Sequence, residues 1–139
     1  MKLLDRFIKA DKKKIKNGTS IEQGFFNWLD EILGKQLPDS IKAINFNIYE
    51  DGDDKWSIEL VGCSIFDEND SDWACHEVFA TRENPYILFE PGDWEAVLNL
   101  FSSYLKNYLD SGKYSELLKS YNGVGIGFVG GDLNIVYKK

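Results

Sequence analysis

Histidine, cysteine, proline and long apolar runs are all scarce in this chain. Its 139 residues include two cysteines, Cys63 and Cys75, and one histidine, His76. A zinc site made only of Cys and His needs four ligands, so these three side chains cannot supply one. Two thiols without a disulfide framework fit a reducing cytosol. No segment approaches the roughly 20 consecutive apolar residues that span a bilayer. Leu3 and Leu4 are followed at once by Asp5 and Arg6, so no apolar signal-peptide core forms, and a cytoplasmic protein is expected. With only three prolines and no low-complexity tract, the chain also lacks the marks of disorder.

What is present is enough for one core. The composition is 43% hydrophobic and 14% aromatic, with four Trp. A chain of this length fits one domain of roughly 100–150 residues, which buries about two thirds of its unfolded surface. The net charge of −7 is unevenly divided. Residues 1–17 carry seven Lys/Arg against two Asp, whereas residues 18–139 carry nine Lys/Arg against 21 Asp/Glu. Such an acidic body repels nucleic acid and membrane phosphates and attracts basic partners.

Local patterning gives the elements. Residues 1–18 read as a basic N-terminal helix and tail, with Leu3, Leu4, Phe7 and Ile8 on one side of a helix over 2–10. Residues 19–139 read as a single α+β domain. Thr19 and Glu22 fit a capping box, Thr at the N-cap and Glu three residues later. The following helix places Ile21, Phe25, Trp28, Leu29, Ile32 and Leu33 on one stripe. Ile44, Phe46 and Ile48 alternate with polar residues, and Trp56, Ile58 and Leu60 do the same, which predicts a hairpin through Asp51-Gly52. That second strand extends through Phe66. Further strands are expected over Trp73–Ala80 and Tyr86–Phe89. Asp93 caps a long helix that Gly112 ends, and a short helix follows over Tyr114–Tyr121. Val124–Val129 and Asp132–Tyr137 form a C-terminal hairpin with Gly130-Gly131 as its two-residue turn. The fold class is therefore α+β: a mainly antiparallel sheet of 4–6 strands, ending in a hairpin and packed by two to three helices.

Several motifs invite chemistry and are set aside on physical grounds. Gly125, Gly127 and Gly130 spell G-x-G-x-x-G, but a strand rather than a helix follows, so the dinucleotide-binding context is missing. The glycines instead leave one strand face flat for close backbone approach. Cys75 and His76 are adjacent on an expected strand and would point to opposite faces. A small buried cysteine is the ordinary expectation. The run Asp67-Glu68-Asn69-Asp70-Ser71-Asp72 fails as a calcium loop, because Asp72 stands where Gly is needed and Val78 where Glu is needed. No catalytic residue, metal or cofactor is expected.

The strongest charge signal is a pair of acidic loops. Glu50, Asp51, Asp53 and Asp54 occupy one, and Asp67, Glu68, Asp70 and Asp72 the other, together eight of the 23 acidic residues. Their mutual repulsion costs stability, which makes them candidate partner-binding residues. The basic N-terminal helix is read as packed on the body rather than lying on a membrane.

Four segments are similar in style to small acidic immunity proteins of bacterial polymorphic-toxin and contact-dependent inhibition systems. They are Ile44-Asn45-Phe46-Asn47-Ile48-Tyr49-Glu50, Trp56-Ser57-Ile58-Glu59-Leu60-Val61-Gly62, Asp72-Trp73-Ala74-Cys75-His76-Glu77, and Gly125-Ile126-Gly127-Phe128-Val129-Gly130-Gly131-Asp132-Leu133. The resemblance spans residue 40 to the C-terminus. It implies a non-enzymatic antitoxin that occludes a cognate toxin domain, often a basic nuclease. A second reading is a small carboxylate enzyme or ligand-binding domain using Glu59 and Glu77. A third is a housekeeping adaptor. Oligomeric state is left open.

Overall fold

The computed structural model describes residues 16–139, so the expected helix over 2–10 lies outside the described residues. The elements in chain order are α1 (Lys16–Leu33), β1 (Ala43–Gly52), β2 (Lys55–Cys63), a 3-10 helix (Ser71–Cys75), β3 (Glu77–Ala80), β4 (Tyr86–Phe89), α2 (Trp94–Ser111), α3 (Ser115–Ser120), β5 (Gly123–Phe128) and β6 (Asn134–Lys138). They form an α+β domain with a six-stranded sheet in the order β3-β2-β1-β5-β6, β4 also pairing with β2. β1 and β5 are parallel, and the other pairs are antiparallel.

The period-two pattern in β1 and β2 sends Ile44, Phe46, Ile48, Trp56, Ile58 and Leu60 to one face, where Val124 and Ile126 of β5 join them. The apolar stripes of α1 and α2 cover that face through Phe25, Leu29, Phe101, Leu105 and Tyr108. Asp93 caps α2 as expected, its carboxylate accepting from Ala96 N at 2.9 Å.

Among the described residues, a second apolar cluster covers one end of the opposite face. There the 3-10 helix lays Trp73 on Ala43, Val61 and Cys63. This small second core buries the half of the sheet that alternation alone marks as solvated.

The structure corrects several local readings. α1 is already helical at Lys16, the first described residue, so Thr19 lies inside the helix rather than at its cap, and Asn17-Gly18 does not break it. β2 ends at Cys63, short of Phe66. Trp73 belongs to the 3-10 helix, which Asp70 caps by accepting from Asp72 N, and β3 starts only at Glu77. The β1–β2 turn is Asp53-Asp54, both with positive φ (54° and 60°), after Gly52 at 91°. Two consecutive left-handed residues match the twist of a two-residue hairpin, and Asp tolerates that region better than most side chains. The last hairpin turns over Val129–Leu133, not Gly130-Gly131 alone. Only Gly130 of those two has positive φ, at 81°, and Gly131 N donates to Phe128 O at 2.9 Å. The donation and the positive φ at the third position are those of a type II turn.

Cysteine burial also differs from expectation. Cys63 is buried, and its thiol is pushed up to about 12, chiefly by burial. Cys75 ends the 3-10 helix and is exposed, and His76 is its C-cap, so neither lies on a strand.

Candidate functional site

On the face opposite α1 and α2, strand alternation aligns Asn45, Asn47 and Tyr49 of β1 with Glu59 of β2. Glu59 is paired with Asn47 across the strands and is 1% exposed. A buried carboxylate is tolerated only when partners replace its hydration. Three side chains do so here. Tyr49 Oη donates to Glu59 Oε2 at 2.5 Å, and Asn47 Nδ2 donates to the same oxygen at 3.2 Å. Arg82, from the β3–β4 connection, sets Nη2 3.2 Å from Oε2 and Nε 2.9 Å from Oε1. The Nε–Oε1 contact is an ion pair rather than an aligned hydrogen bond. Arg82 Nη2 also donates to Glu77 Oε2 at 2.9 Å. Hydrogen bonds from Arg82 to Glu59 and then Glu77 raise the guanidinium pKa above its ordinary value. Burial, followed by the bond to Glu59, raises that of Tyr49.

Glu59 and Glu77 are thus brought together, but as two acceptors on one cation. Divided acid and base roles need two carboxylates whose environments push their affinities for a proton apart. Here one guanidinium holds both, so the two share a partner rather than separate environments.

The network continues outward from Glu59, with Asn45 Nδ2 donating to Asn47 Oδ1 at 2.9 Å. Asn45 is 3% exposed, and its own Oδ1 has no donor among the described residues. Asn45 and Asn47 line a cleft of about 460 Å³ with Asp72, Cys75, Glu77, the Gly127–Gly131 segment, Asp132 and Leu133. The flat glycine face explains how the cleft is built. A Cβ on Gly125 would crowd Asn45 Oδ1, Leu133 and Trp73, and one on Gly127 would collide with the Asp132 carbonyl. The close approach expected of these glycines is that of the residues before β6, folding back over β5.

A second cleft, of about 670 Å³, lies on the other side of the same loop. Glu50, Trp94, Glu95, Leu98, Val129 and Asp132 are among its lining residues. Trp94 is 55% exposed and meets Phe128 edge-on, ring centroids 6.2 Å apart. No Lys or Arg lines either cleft among the described residues.

The eight acidic candidates do not form one cluster. Residues 50–54 lie at the start of β2, whereas 67–72 follow its other end. The register confirms the separation: Glu68 pairs with Lys138 at 2.7 Å, and Lys138 sits opposite Gly123, at the Ala43 end of the sheet. Asp67 and Asp70 accept from Asn69 N and Asp72 N and so shape their own loop. Asp53 and Asp54 form the hairpin turn. Glu50 and Asp72 line the two clefts, and Asp51 is exposed near the hairpin tip.

Sequence reasoning missed Asp132, Asn45, Trp94 and Arg82. Asp132 carries a usable signal, since it follows a double glycine beside the flat G-x-G strand. Among the described residues there is no group of three or more His, Cys, Asp or Glu placed to hold a metal ion, and no helix is long and apolar enough to cross a membrane. Compared with protein-family models, curated proteins and solved structures, the chain matches none.

Proposed function

We propose that this protein is a non-enzymatic, cytoplasmic immunity protein that neutralises a basic bacterial toxin domain by binding and occluding it. The observation that carries the reading is the pair of clefts flanking the Phe128–Asp132 loop. Both are lined by carboxylates and not by cations among the described residues, and one exposes Trp94. Interfaces of this kind combine a few buried aromatic anchors with charge that steers encounter. The acidic body, the general likeness to small immunity proteins and the engaged state of Glu59 and Glu77 all support binding over chemistry.

The test is growth. The protein encoded beside this gene is expressed in a bacterial host with and without this chain. The proposal expects growth arrest by the neighbour alone and rescue by co-expression. A harmless neighbour, or arrest that persists with this chain folded and abundant, contradicts it.

A further inference from the structure

The cleft between the Phe128–Asp132 loop and the 3-10 helix offers acceptors in an unusual arrangement. Asp72 and Asp132 lie on its two sides, and neither has an ion-pair partner among the described residues. Glu77, also in its wall, is held by Arg82. Asn45, one of its lining residues, holds a buried Oδ1 that lacks a donor among the described residues; it packs beneath Leu133 beside Gly125 and Trp73, whose own Nε1 is also without a partner. Asn45 cannot relieve this by turning its amide over, because Nδ2 is committed to Asn47 Oδ1, whose own amide is committed to Glu59. The chain of donors therefore runs toward Glu59 and leaves one acceptor at its far end. A buried acceptor without a partner costs roughly 1–3 kcal/mol.

We infer that this cleft is the receptor for an arginine side chain of the partner, its guanidinium bridging Asp72 and Asp132 and reaching Asn45 Oδ1. The inference rests on the neutralisation reading for the identity of the partner, though not for the chemistry of the cleft. A guanidinium carries five N–H donors in a planar fork and no acceptor, so it can serve several divergent oxygens at once. A lysine ammonium, a compact charge, meets them less well. Leu133 stands over Asn45 beside Gly125, and its side chain must turn aside for the guanidinium to reach Asn45 Oδ1.

The test follows amide and methyl NMR shifts of the full chain as a blocked Gly-Arg-Gly peptide is added. Lysine and neutral citrulline versions of the peptide are the comparators. The expected result is perturbation of the Asn45 side-chain amide, the Gly127–Gly131 amides and the Leu133 methyls. Lysine binds more weakly, and citrulline leaves the shifts unmoved. Replacing Asp72→Asn and Asp132→Asn together weakens arginine binding about tenfold, the loss of one to two charge-assisted hydrogen bonds. Shifts confined to residues 50–54, equal responses to arginine and citrulline, or no response overturn the inference. Growth rescue with a silent cleft sinks this inference alone, whereas an arginine-specific cleft without rescue sinks the neutralisation reading alone.

Discussion

Arg82 sets its Nε 2.9 Å from Oε1 of Glu59, a carboxylate that is 1% exposed. This contact joins the middle of β2 to the β3–β4 connection, which lies on the sheet edge. Glu59 has no access to water, whereas Arg82 is half exposed, so the two partners are not equivalent. Removing Arg82 leaves a buried charge with only Tyr49 and Asn47 as donors. Arg82→Ala is expected to lower stability by about 2 kcal/mol, within the usual cost of leaving a buried acceptor short of partners. Replacing both residues by Leu should cost less than that single change, because the orphaned charge is then gone. Urea denaturation of the two variants decides it, and a larger loss in the double variant than in Arg82→Ala would contradict the account.

Alkaline pH should unfold the protein early. Burial is the first cause raising the pKa of Tyr49, Tyr86, Tyr104, Tyr108 and Tyr121, Tyr104 to about 12. Their unfolded value is 10.0. Between these pH values the folded state holds more protons than the unfolded state, so stability falls as pH rises. Below pH 10 these groups contribute no slope. Denaturant midpoints measured from pH 8 to pH 12 should be flat at first and then drop steeply; a flat profile throughout would contradict the burial of these hydroxyls.

The thiols should separate cleanly. Cys75 is exposed and Cys63 is buried. A thiol reagent should modify Cys75 quickly and Cys63 only on unfolding, because the thiolate is the nucleophile and burial suppresses it. Two equally fast thiols would show that the second core is open.

The β1–β2 turn can be improved. Asp53→Asn with Asp54→Gly substitutes residues preferred where both central φ values are positive and removes two repelling charges. A gain of about 0.5–1 kcal/mol is expected, read as a higher melting temperature. Gly127→Ala should act the other way and cost about 1–3 kcal/mol, because its methyl meets the Asp132 carbonyl.

Much of the fold was legible because the apolar spacing is regular. The stripes Phe25–Leu29–Ile32 and Val97–Phe101–Leu105 have helical period, and Ile44–Phe46–Ile48 has strand period. The candidate site was far less legible. Asn45 and Glu59 sit at positions that alternation assigns to solvent, and Trp73, more than ten residues beyond Glu59 in the chain, buries that end of the face together with Phe66 and Leu133. Arg82 reaches Glu59 across a gap of 23 residues, which no local pattern encodes. Acidic density pointed to the two loops but not to their distribution. Capping and turn geometry absorb Asp53, Asp54, Asp67 and Asp70. Asp132, isolated in sequence, lines both clefts.

The most direct test of the central claim is the association rate with the protein encoded beside this gene, measured by stopped flow at two ionic strengths. The Debye length shrinks from about 10 Å at 0.1 M salt to about 3 Å at 1 M, so steering by exposed carboxylates should fade. Glu50→Lys with Asp51→Lys avoids the strained turn positions and should lower the on-rate more than it raises the off-rate. The account predicts an on-rate that falls steeply with salt and a charge-reversed variant that starts low and falls little. An on-rate indifferent to salt, with wild-type kinetics in the variant, would mean that the acidic surface does not guide the partner.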